Sequence, residues 1–219
     1  DVFSGELINN KNFTNDGTFT VESAGKFTDS GDFVDNGTSN ISGTVVLNKT
    51  WTINTAFTNG AKFAINSGAV LTVGTTGSLT NDNEITIADG GQLINYNTVT
   101  NKAGKTITNN GTLNNSKDNT IDNSGSIINN STFNNNGTLN NKDAGTIANS
   151  SQGTLTIGTD GILNNTSTAD KAVDNSGALV NNGTFTGTGK FTNETSGTFT
   201  NSKTYNPTGV HDKYYIFSS

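Results

Sequence analysis

The chain has 219 residues, of which 30% are hydrophobic and 14% are charged, and its formal net charge is -6. Its Lys residues form no basic run and no apolar run approaches the roughly 20 residues of a membrane span, so the sequence predicts neither nucleic-acid binding nor membrane insertion. Cys is absent, which excludes disulfides and thiolate metal sites. Low hydrophobicity can indicate disorder, but 12 Phe and 38 Thr are more aromatic and β-branched residues than disordered chains usually carry. The composition therefore favours an ordered, β-rich repeat.

Apolar residues recur along the chain at even spacings. Every step is six or eight residues, except for ten between Leu163 and Val173, and Ser39 occupies one of the positions. Because strand side chains alternate between two faces, even steps keep these residues on one face of successive short strands. The predicted inward positions are Leu7, Phe13, Phe19, Phe27, Phe33, Ser39, Val45, Trp51, Phe57, Phe63, Leu71, Leu79, Ile85, Leu93, Val99, Ile107, Leu113, Ile121, Ile127, Phe133, Leu139, Ile147, Leu155, Leu163, Val173, Leu179, Phe185, Phe191, Phe199 and Tyr205.

The second residue after most inward positions is Asn. It shares the inward parity but lies where Asn- and Gly-rich segments predict a turn, so we place it at a corner, stacked from coil to coil as an amide ladder. Val21, Val73, Ile87 and Ile157 take this position in some eight-residue steps, where we expect longer strands. The Asn residues concerned are Asn9, Asn15, Asn59, Asn81, Asn95, Asn101, Asn109, Asn115, Asn123, Asn129, Asn135, Asn141, Asn149, Asn165, Asn175, Asn181, Asn193 and Asn201.

Three steps make 18 to 22 residues over most of the chain. This sum predicts an all-β fold, a single-chain parallel β-solenoid (β-helix) with three sides and roughly ten coils, although two sides per coil remain an alternative. No change of composition divides the repeat, so residues 1–205 are predicted to be one solenoid and residues 206–219, from just before Pro207, a tail. The repeat begins at Gly5 without a recognisable cap, so the first coil is expected to expose unpaired strand edges.

Segments such as GTLNNSKDNTIDNSGSIINN are similar to the β-solenoid repeats of filamentous-haemagglutinin-like and related bacterial or archaeal cell-surface proteins. The resemblance spans about Gly5 to Tyr205. It implies a right-handed solenoid, secretion and surface display, and it supplies no catalytic residues. Secretion also agrees with the absence of Met even at position 1, as expected after removal of a signal, although an engineered start would leave the same residue.

Candidate sites for chemistry are sparse. His211 is the only histidine and lies in the tail, where a solvated side chain is the expected role. Asp29, Asp32 and Asp35 could approach one another around a turn and bind calcium, but isolated solvated carboxylates are the favoured interpretation. The sequence therefore predicts no enzyme, no cofactor and no metal site.

Outward Thr pairs offer a different possibility, because flat ranks of T-x-T resemble the ice-binding surfaces of antifreeze proteins. The simpler interpretation is that Thr suits exposed strands. The pairs are Thr18 and Thr20, Thr98 and Thr100, Thr106 and Thr108, Thr154 and Thr156, Thr184 and Thr186, and Thr198 and Thr200.

N-x-S/T sequons are frequent, as a chain this rich in Asn, Ser and Thr produces by chance. Asn110, Asn136 and Asn182, each in an NGT turn, are the preferred candidates for N-glycosylation, whereas modification of a ladder Asn would disrupt stacking. The sequons lie at Asn12, Asn36, Asn40, Asn48, Asn110, Asn114, Asn129, Asn130, Asn136, Asn149, Asn164, Asn165, Asn182 and Asn193.

The open edges favour copies of the same chain as partners. We therefore expect a secreted, non-enzymatic structural protein that stacks end to end into a fibre, sheath or layer at the cell surface. The expected joint comprises Val2 and Phe3 at one end and Tyr214, Tyr215, Ile216 and Phe217 at the other, where the tail either caps its own last coil or adds a strand to a neighbour. A surface adhesin, acting as a stalk or binding surface glycans, is the alternative, and ice binding is a further one.

Overall fold

The computed structural model describes residues 2–209 and 211–212, with side chains from residue 4 to 209. All of its regular elements are β-strands. The strands of the first five coils are β1 (Val2–Phe3), β2 (Glu6–Asn9), β3 (Phe13–Asn15), β4 (Thr18–Val21), β5 (Lys26–Asp29), β6 (Asp32–Asp35), β7 (Thr38–Ile41), β8 (Thr44–Leu47), β9 (Thr50–Ile53), β10 (Ala56–Asn59), β11 (Lys62–Ile65), β12 (Val70–Val73), β13 (Ser78–Asn81), β14 (Glu84–Ile87) and β15 (Gln92–Asn95). The later strands are β16 (Thr98–Asn101), β17 (Thr106–Asn109), β18 (Thr112–Asn115), β19 (Thr120–Asn123), β20 (Ser126–Asn129), β21 (Thr132–Asn135), β22 (Thr138–Asn141), β23 (Thr146–Asn149), β24 (Thr154–Ile157), β25 (Ile162–Asn165), β26 (Val173–Asn175), β27 (Ala178–Asn181), β28 (Thr184–Gly187), β29 (Phe191–Asn193), β30 (Thr198–Asn201), β31 (Thr204–Pro207) and β32 (His211–Asp212).

Every third strand belongs to the same parallel sheet. Sheet A runs from β1 to β31 with eleven strands, sheet B from β2 to β32 with eleven, and sheet C from β3 to β30 with ten. Stacked partners such as Leu79 and Val99 are one coil apart in sequence. The three-sided parallel solenoid of about ten coils is thus confirmed and the two-sided alternative is wrong, while its right-handedness stays a prediction. At ~4.8 Å between strands, the rod is about 50 Å long.

The inward positions form one continuous core. All of the predicted apolar ones are buried, except that Leu7, Phe13 and Tyr205 at the two ends are partly buried. The core is aromatic towards both ends and mainly aliphatic between Leu71 and Leu179. Near the first coils, for example, the rings of Phe13 and Phe33 stack with centroids 4.9 Å apart.

Strand length does not follow step length, so the expectation of longer strands in some eight-residue steps is wrong. The strands that end at Val73 and Ile87 have four residues, like those that end in a buried Asn. The two extra residues lie in the corner instead. Gly74 to Gly77 form a four-residue turn in which the Gly77 N–H donates to the Gly74 carbonyl at 3.0 Å. Most strands have four residues, because successive coils stack on the same four ladder positions.

The ladder extends beyond the expected repeat at both ends. Val2 and Phe3 already pair with Thr20 and Val21 in sheet A, before the expected start at Gly5. At the other end, Pro207 lies within β31, and β32 pairs with β29 beyond it. Pro207 is tolerated because β31 is the last strand of sheet A among the described residues, so a missing N–H is permitted there.

No described element is a helix of the length and apolarity that crossing a membrane requires.

Candidate functional site

Asn side chains form buried ladders at all three corners of the solenoid. In each rung the Nδ2 of one Asn donates to the Oδ1 of the Asn one coil later, for example from Asn81 to Asn101 at 2.8 Å. The same Nδ2 also donates to a backbone carbonyl of the adjacent sheet, here Thr106 at 3.0 Å, so the ladder ties two sheets together. The predicted amide ladders are therefore confirmed. The uninterrupted runs are Asn59, Asn81, Asn101, Asn123, Asn141 and Asn165 in sheet A, Asn109, Asn129, Asn149, Asn175 and Asn193 in sheet B, and Asn95, Asn115 and Asn135, then Asn181 and Asn201, in sheet C.

The ladders are polar along the rod. In every buried rung the Nδ2 donates towards the C-terminal end, so each buried run begins with a free acceptor position and ends with a donor. The exposed corner amides donate in the opposite direction, as from Asn54 to Asn36 at 2.8 Å. At the first coil, the Oδ1 of Asn15 accepts the Gly17 N–H from its own turn at 3.2 Å. An interior residue such as Asn81 accepts its turn N–H and also the Nδ2 of Asn59 from the coil before. Asn15 thus carries acceptor capacity that a preceding coil would use.

The opposite end presents the complementary group. Asn201, in the last described strand of sheet C, accepts from Asn181 at 2.6 Å and donates to the Lys203 carbonyl at 3.2 Å. It is half-buried, whereas interior ladder Asn are fully buried. The aromatic core continues to this end, where the rings of Phe199 and Tyr205 lie 4.9 Å apart.

The predicted joint residues are only partly placed by the structure. Val2 and Phe3 lie in β1, in the first coil, and only their backbone pairing is described. His211 lies in β32, and its backbone pairs beside Phe191. Tyr214, Tyr215, Ile216 and Phe217 lie outside the described residues, so their assignment to the joint stays a prediction.

The expectation that Asp29 and Asp35 are solvated is wrong. Both are fully buried, because each lies two residues after an inward Phe, at the position that Asn occupies in the ladders. Asp32 alone of the three faces outward, where its carboxylate pairs with the Lys49 ammonium at 2.9 Å. Within the described part of the chain, no group of three or more His, Cys, Asp or Glu could hold a metal ion. The sequence signal for their burial is the even spacing from the inward Phe residues, which places both Asp side chains on the inward face.

Burial shifts the pKa of both inward acids. It raises the pKa of Asp29 to about 6, although hydrogen bonds from the Asn9 amide and the Gly31 N–H oppose the shift. The pKa of Asp35 is also raised by burial, against hydrogen bonds from Ser39, Asn15 and Gly37. The exposed Asp32 has a lowered pKa, through hydrogen bonds from Thr50 and then Lys49.

The outward T-x-T pairs are divided among the three sides. No two of the six predicted pairs lie on adjacent strands of one sheet, so they form no continuous rank, and the geometry does not favour an ice-binding face. Sheet A holds the pairs of β4, β16 and β28, sheet B that of β17, and sheet C those of β24 and β30.

The three preferred sequons differ in exposure. Asn136 is exposed, whereas Asn110 and Asn182 are half-buried. Asn136 lies in a two-residue corner beside a shallow cleft, which Lys117 and Asp160 from longer turns of the neighbouring coils also line. These two residues form an ion pair at 3.0 Å. The sequons that start at ladder residues are instead buried; they lie at Asn129, Asn149, Asn165 and Asn193.

We expect glycan occupancy to follow this exposure. When the chain is secreted from a host that modifies N-x-S/T sequons, glycopeptide mass spectrometry of the folded protein is expected to show Asn136 as the most occupied of the three NGT sites. Ladder sites should be unmodified because a glycan cannot fit in the packed interior. Substantial occupancy at Asn129 or Asn149 in folded protein would contradict the burial described above.

Comparisons with known proteins assign no family. No protein-family model matches the chain, and no curated protein matches it. Among solved structures, it matches the crystal structure of a TibC-catalysed hyper-glycosylated TibA fragment, over 100% of this chain and 97% of that chain, with 14% identity and a TM-score of 0.24. A TM-score this low establishes no shared fold. The chain is a parallel β-solenoid on the evidence of its own strand pairing.

Proposed function

We propose that this chain is a secreted, non-enzymatic structural protein whose solenoid stacks head to tail into a filament, sheath or layer at the cell surface. The observation that carries the proposal is the polarity of the buried ladder groups at the two ends, which are Asn9 and Asn15 in the first coil and Asn201 in the last described strand of sheet C. A donor end and an acceptor end match when copies stack in the same direction, whereas two like ends would oppose acceptor to acceptor or donor to donor. Such a contact is heterologous and does not close, so it propagates.

The strand edges support the same arrangement. Parallel sheets end at the first coil in β1, β2 and β3, whose outer edges have no pairing partner among the described residues. An unpaired edge is a template for another chain. Sheet C also begins and ends with the same tripeptide, since Phe13-Thr14-Asn15 of β3 matches Phe199-Thr200-Asn201 of β30. Continuation of the sheet would place chemically identical residues in register, as within the rod.

The tail belongs to the proposal as a contributor to the joint. Tyr214, Tyr215, Ile216 and Phe217 follow β32 in the sequence, and their aromatic and aliphatic side chains suit an interface core. Display at the cell surface is also part of the proposal, and it rests on the resemblance of the repeat to the solenoids of cell-surface proteins.

A single methyl group at Gly17 tests the joint. At equivalent corners inside the rod, an added Cβ meets the preceding coil, as at Gly37, where it would lie 2.2 Å from the Gly17 carbonyl oxygen. At Gly17 itself no atom of the described residues lies within 4 Å, because its coil is the first of the described coils. Gly17→Ala should therefore leave the monomer folded. It should raise the concentration needed for assembly at least about tenfold, as expected if the clash costs about 1.4 kcal/mol or more.

The matched control is Gly104→Asn. Gly104 lies in a projecting turn at mid-rod with φ of 71°, which Asn tolerates, and it has open space around it. Sedimentation velocity should show unchanged assembly for this variant. Equal assembly of Gly17→Ala and the wild type would exclude a joint at the first coil. If the wild type stays monomeric at every concentration, the surface-adhesin alternative replaces the proposal.

A further inference from the structure

The second coil contains the only two carboxyl groups that are fully buried in the described residues, Asp29 and Asp35. Asp29 Oδ1 accepts the Nδ2 of Asn9 at 2.6 Å, and Asp35 Oδ1 accepts that of Asn15 at 2.8 Å. Each acid thus ends a short ladder that begins in the first coil. In each acid the other oxygen, Oδ2, is buried and has no hydrogen-bond partner among the described residues.

The third coil offers these oxygens no polar side chain at the ladder position, although its Ser39, in the neighbouring sheet, hydrogen-bonds to Asp35 and opposes the rise of its pKa. Leu47 is the ladder partner of Asp29, and Ile53 is that of Asp35. Burial of a carboxylate with one unpartnered oxygen costs free energy, because the apolar residue above it cannot solvate the charge. Burial of the neutral acid costs less. The two acids therefore favour protonation where they are.

Few charged groups offset this preference. Asp32 and Lys49 act on Asp29 with opposite effects, and they already pair with each other at 2.9 Å. The first coil faces Asp29 and Asp35 with the neutral amides of Asn9 and Asn15, and its charged residues Glu6, Lys11 and Asp16 are exposed, with Glu6 paired to Lys26 of β5. The third-coil strands β7, β8 and β9 contain no charged residue.

We infer that Asp29 and Asp35 form a proton-controlled latch that holds the first two coils on the third when both are neutral and loosens them when they ionise. Because the first coil is the acceptor end, the latch regulates assembly, and in this respect it rests on the proposed function. Acid conditions should favour stacking of subunits. A rise in pH should open the first two coils, to which the next subunit would bind.

The direction follows from the pKa shifts. Both pKa values are raised relative to the unfolded chain, so the folded N-terminal coils bind protons more strongly than the open ones. The stabilising contribution of the two acids is fully present below 3.8, the pKa of Asp in the unfolded chain. It is lost as the pH rises, and for Asp29 this occurs as the pH passes through its folded-state pKa of about 6. For Asp29 alone, this shift corresponds to a change in the opening equilibrium on the order of 100-fold between pH 4 and pH 7.

The test uses Asp29→Asn with Asp35→Asn. Asn is compatible with an aliphatic residue above it, because Asn135 lies under Ile157 and donates to the Ile162 carbonyl at 2.8 Å. The double variant should therefore fold and lose the latch. Hydrogen exchange of the first two coils, measured on dilute monomer and corrected for intrinsic rates, should show opening that increases on the order of 100-fold from pH 4 to pH 7 in the wild type. The variant should show a flat profile.

Asp32→Asn is the control, because this acid in the same turn region is exposed and its pKa is lowered. It should retain the wild-type increase in opening. Identical profiles for the wild type and the double variant, or wild-type protection that grows with pH, would overturn the latch. Measurement on monomer separates the two proposals: absence of filaments at every pH would contradict stacking without changing the exchange result.

Discussion

Replacement of Gly137 by alanine is expected to destabilise the central coils by about 3 kcal/mol or more. Gly137 forms the corner between β21 and β22, where an added Cβ would lie 2.3 Å from the Asn119 carbonyl oxygen and 2.5 Å from that of Ser116. Both obstacles are backbone atoms of the preceding coil, which cannot rotate away as a long side chain can. The coils must separate locally, and this weakens the strand pairing and the amide ladder beside the corner. Chemical denaturation followed by circular dichroism measures the loss.

Gly17→Ala is the matched control for this substitution. Its corner joins the same two sheets and is also followed by Thr, but it lies in the first described coil, and no atom of the described residues lies within 4 Å of the added Cβ. The monomer of Gly17→Ala should differ from the wild type by less than ~0.5 kcal/mol, as surface changes usually do. Similar losses in the two variants would show that the cost arises from the residue type and not from contact between coils.

Asn123→Asp is expected to destabilise the solenoid by about 3 kcal/mol at neutral pH, although it changes only one group of nearly identical size. The Nδ2 of Asn123 donates to Asn141 Oδ1 at 2.8 Å and to the Thr146 carbonyl at 2.9 Å. A carboxylate cannot donate, so it would oppose two acceptors in the buried interior. Thermal and chemical denaturation at several pH values measure the effect.

The loss should become smaller in acid, because the introduced carboxyl group regains a donor when it is protonated and burial favours its neutral form. Asn201→Asp is the control, since Asn201 is half-buried at the end of its ladder and accepts from Asn181. It should lose less than ~1 kcal/mol, which is the net value of its hydrogen bond to Lys203. If Asn123→Asp proves as mild as Asn201→Asp, the ladders do not stabilise the rod by directional hydrogen bonds.

The inward pattern was predictable because it depends on parity alone. Ile107 and Ile127 are an even number of residues apart, and stacking one coil on the next pairs them directly. The ladder Asn followed from the same parity, and so did the buried position of Asp29, but the usual preference of carboxylates for solvent led to the wrong expectation there. Parity was the stronger constraint, because a side chain cannot leave its face without shifting the whole strand.

Features that depend on contacts between distant turns were not predictable. The extra residues of eight-residue steps lie in corners, and nothing in the segment from Leu71 to Leu79 shows this before the strands are stacked. The side on which each T-x-T pair lies depends on how many strands make one coil. The spacing of the repeat was compatible with either two or three sides per coil, so the division of the pairs among three sides could not be predicted. The polarity of the ladders depends on the orientation of each amide, which the sequence does not specify.

The most direct test of head-to-tail stacking is negative-stain electron microscopy of the purified chain across a concentration series, with sedimentation velocity on the same samples. Stacking predicts uniform filaments one solenoid wide whose length grows with concentration, and because the contact does not close, no fixed oligomer should dominate. A monomeric rod about 50 Å long at every concentration, as expected for eleven stacked strands, would contradict it.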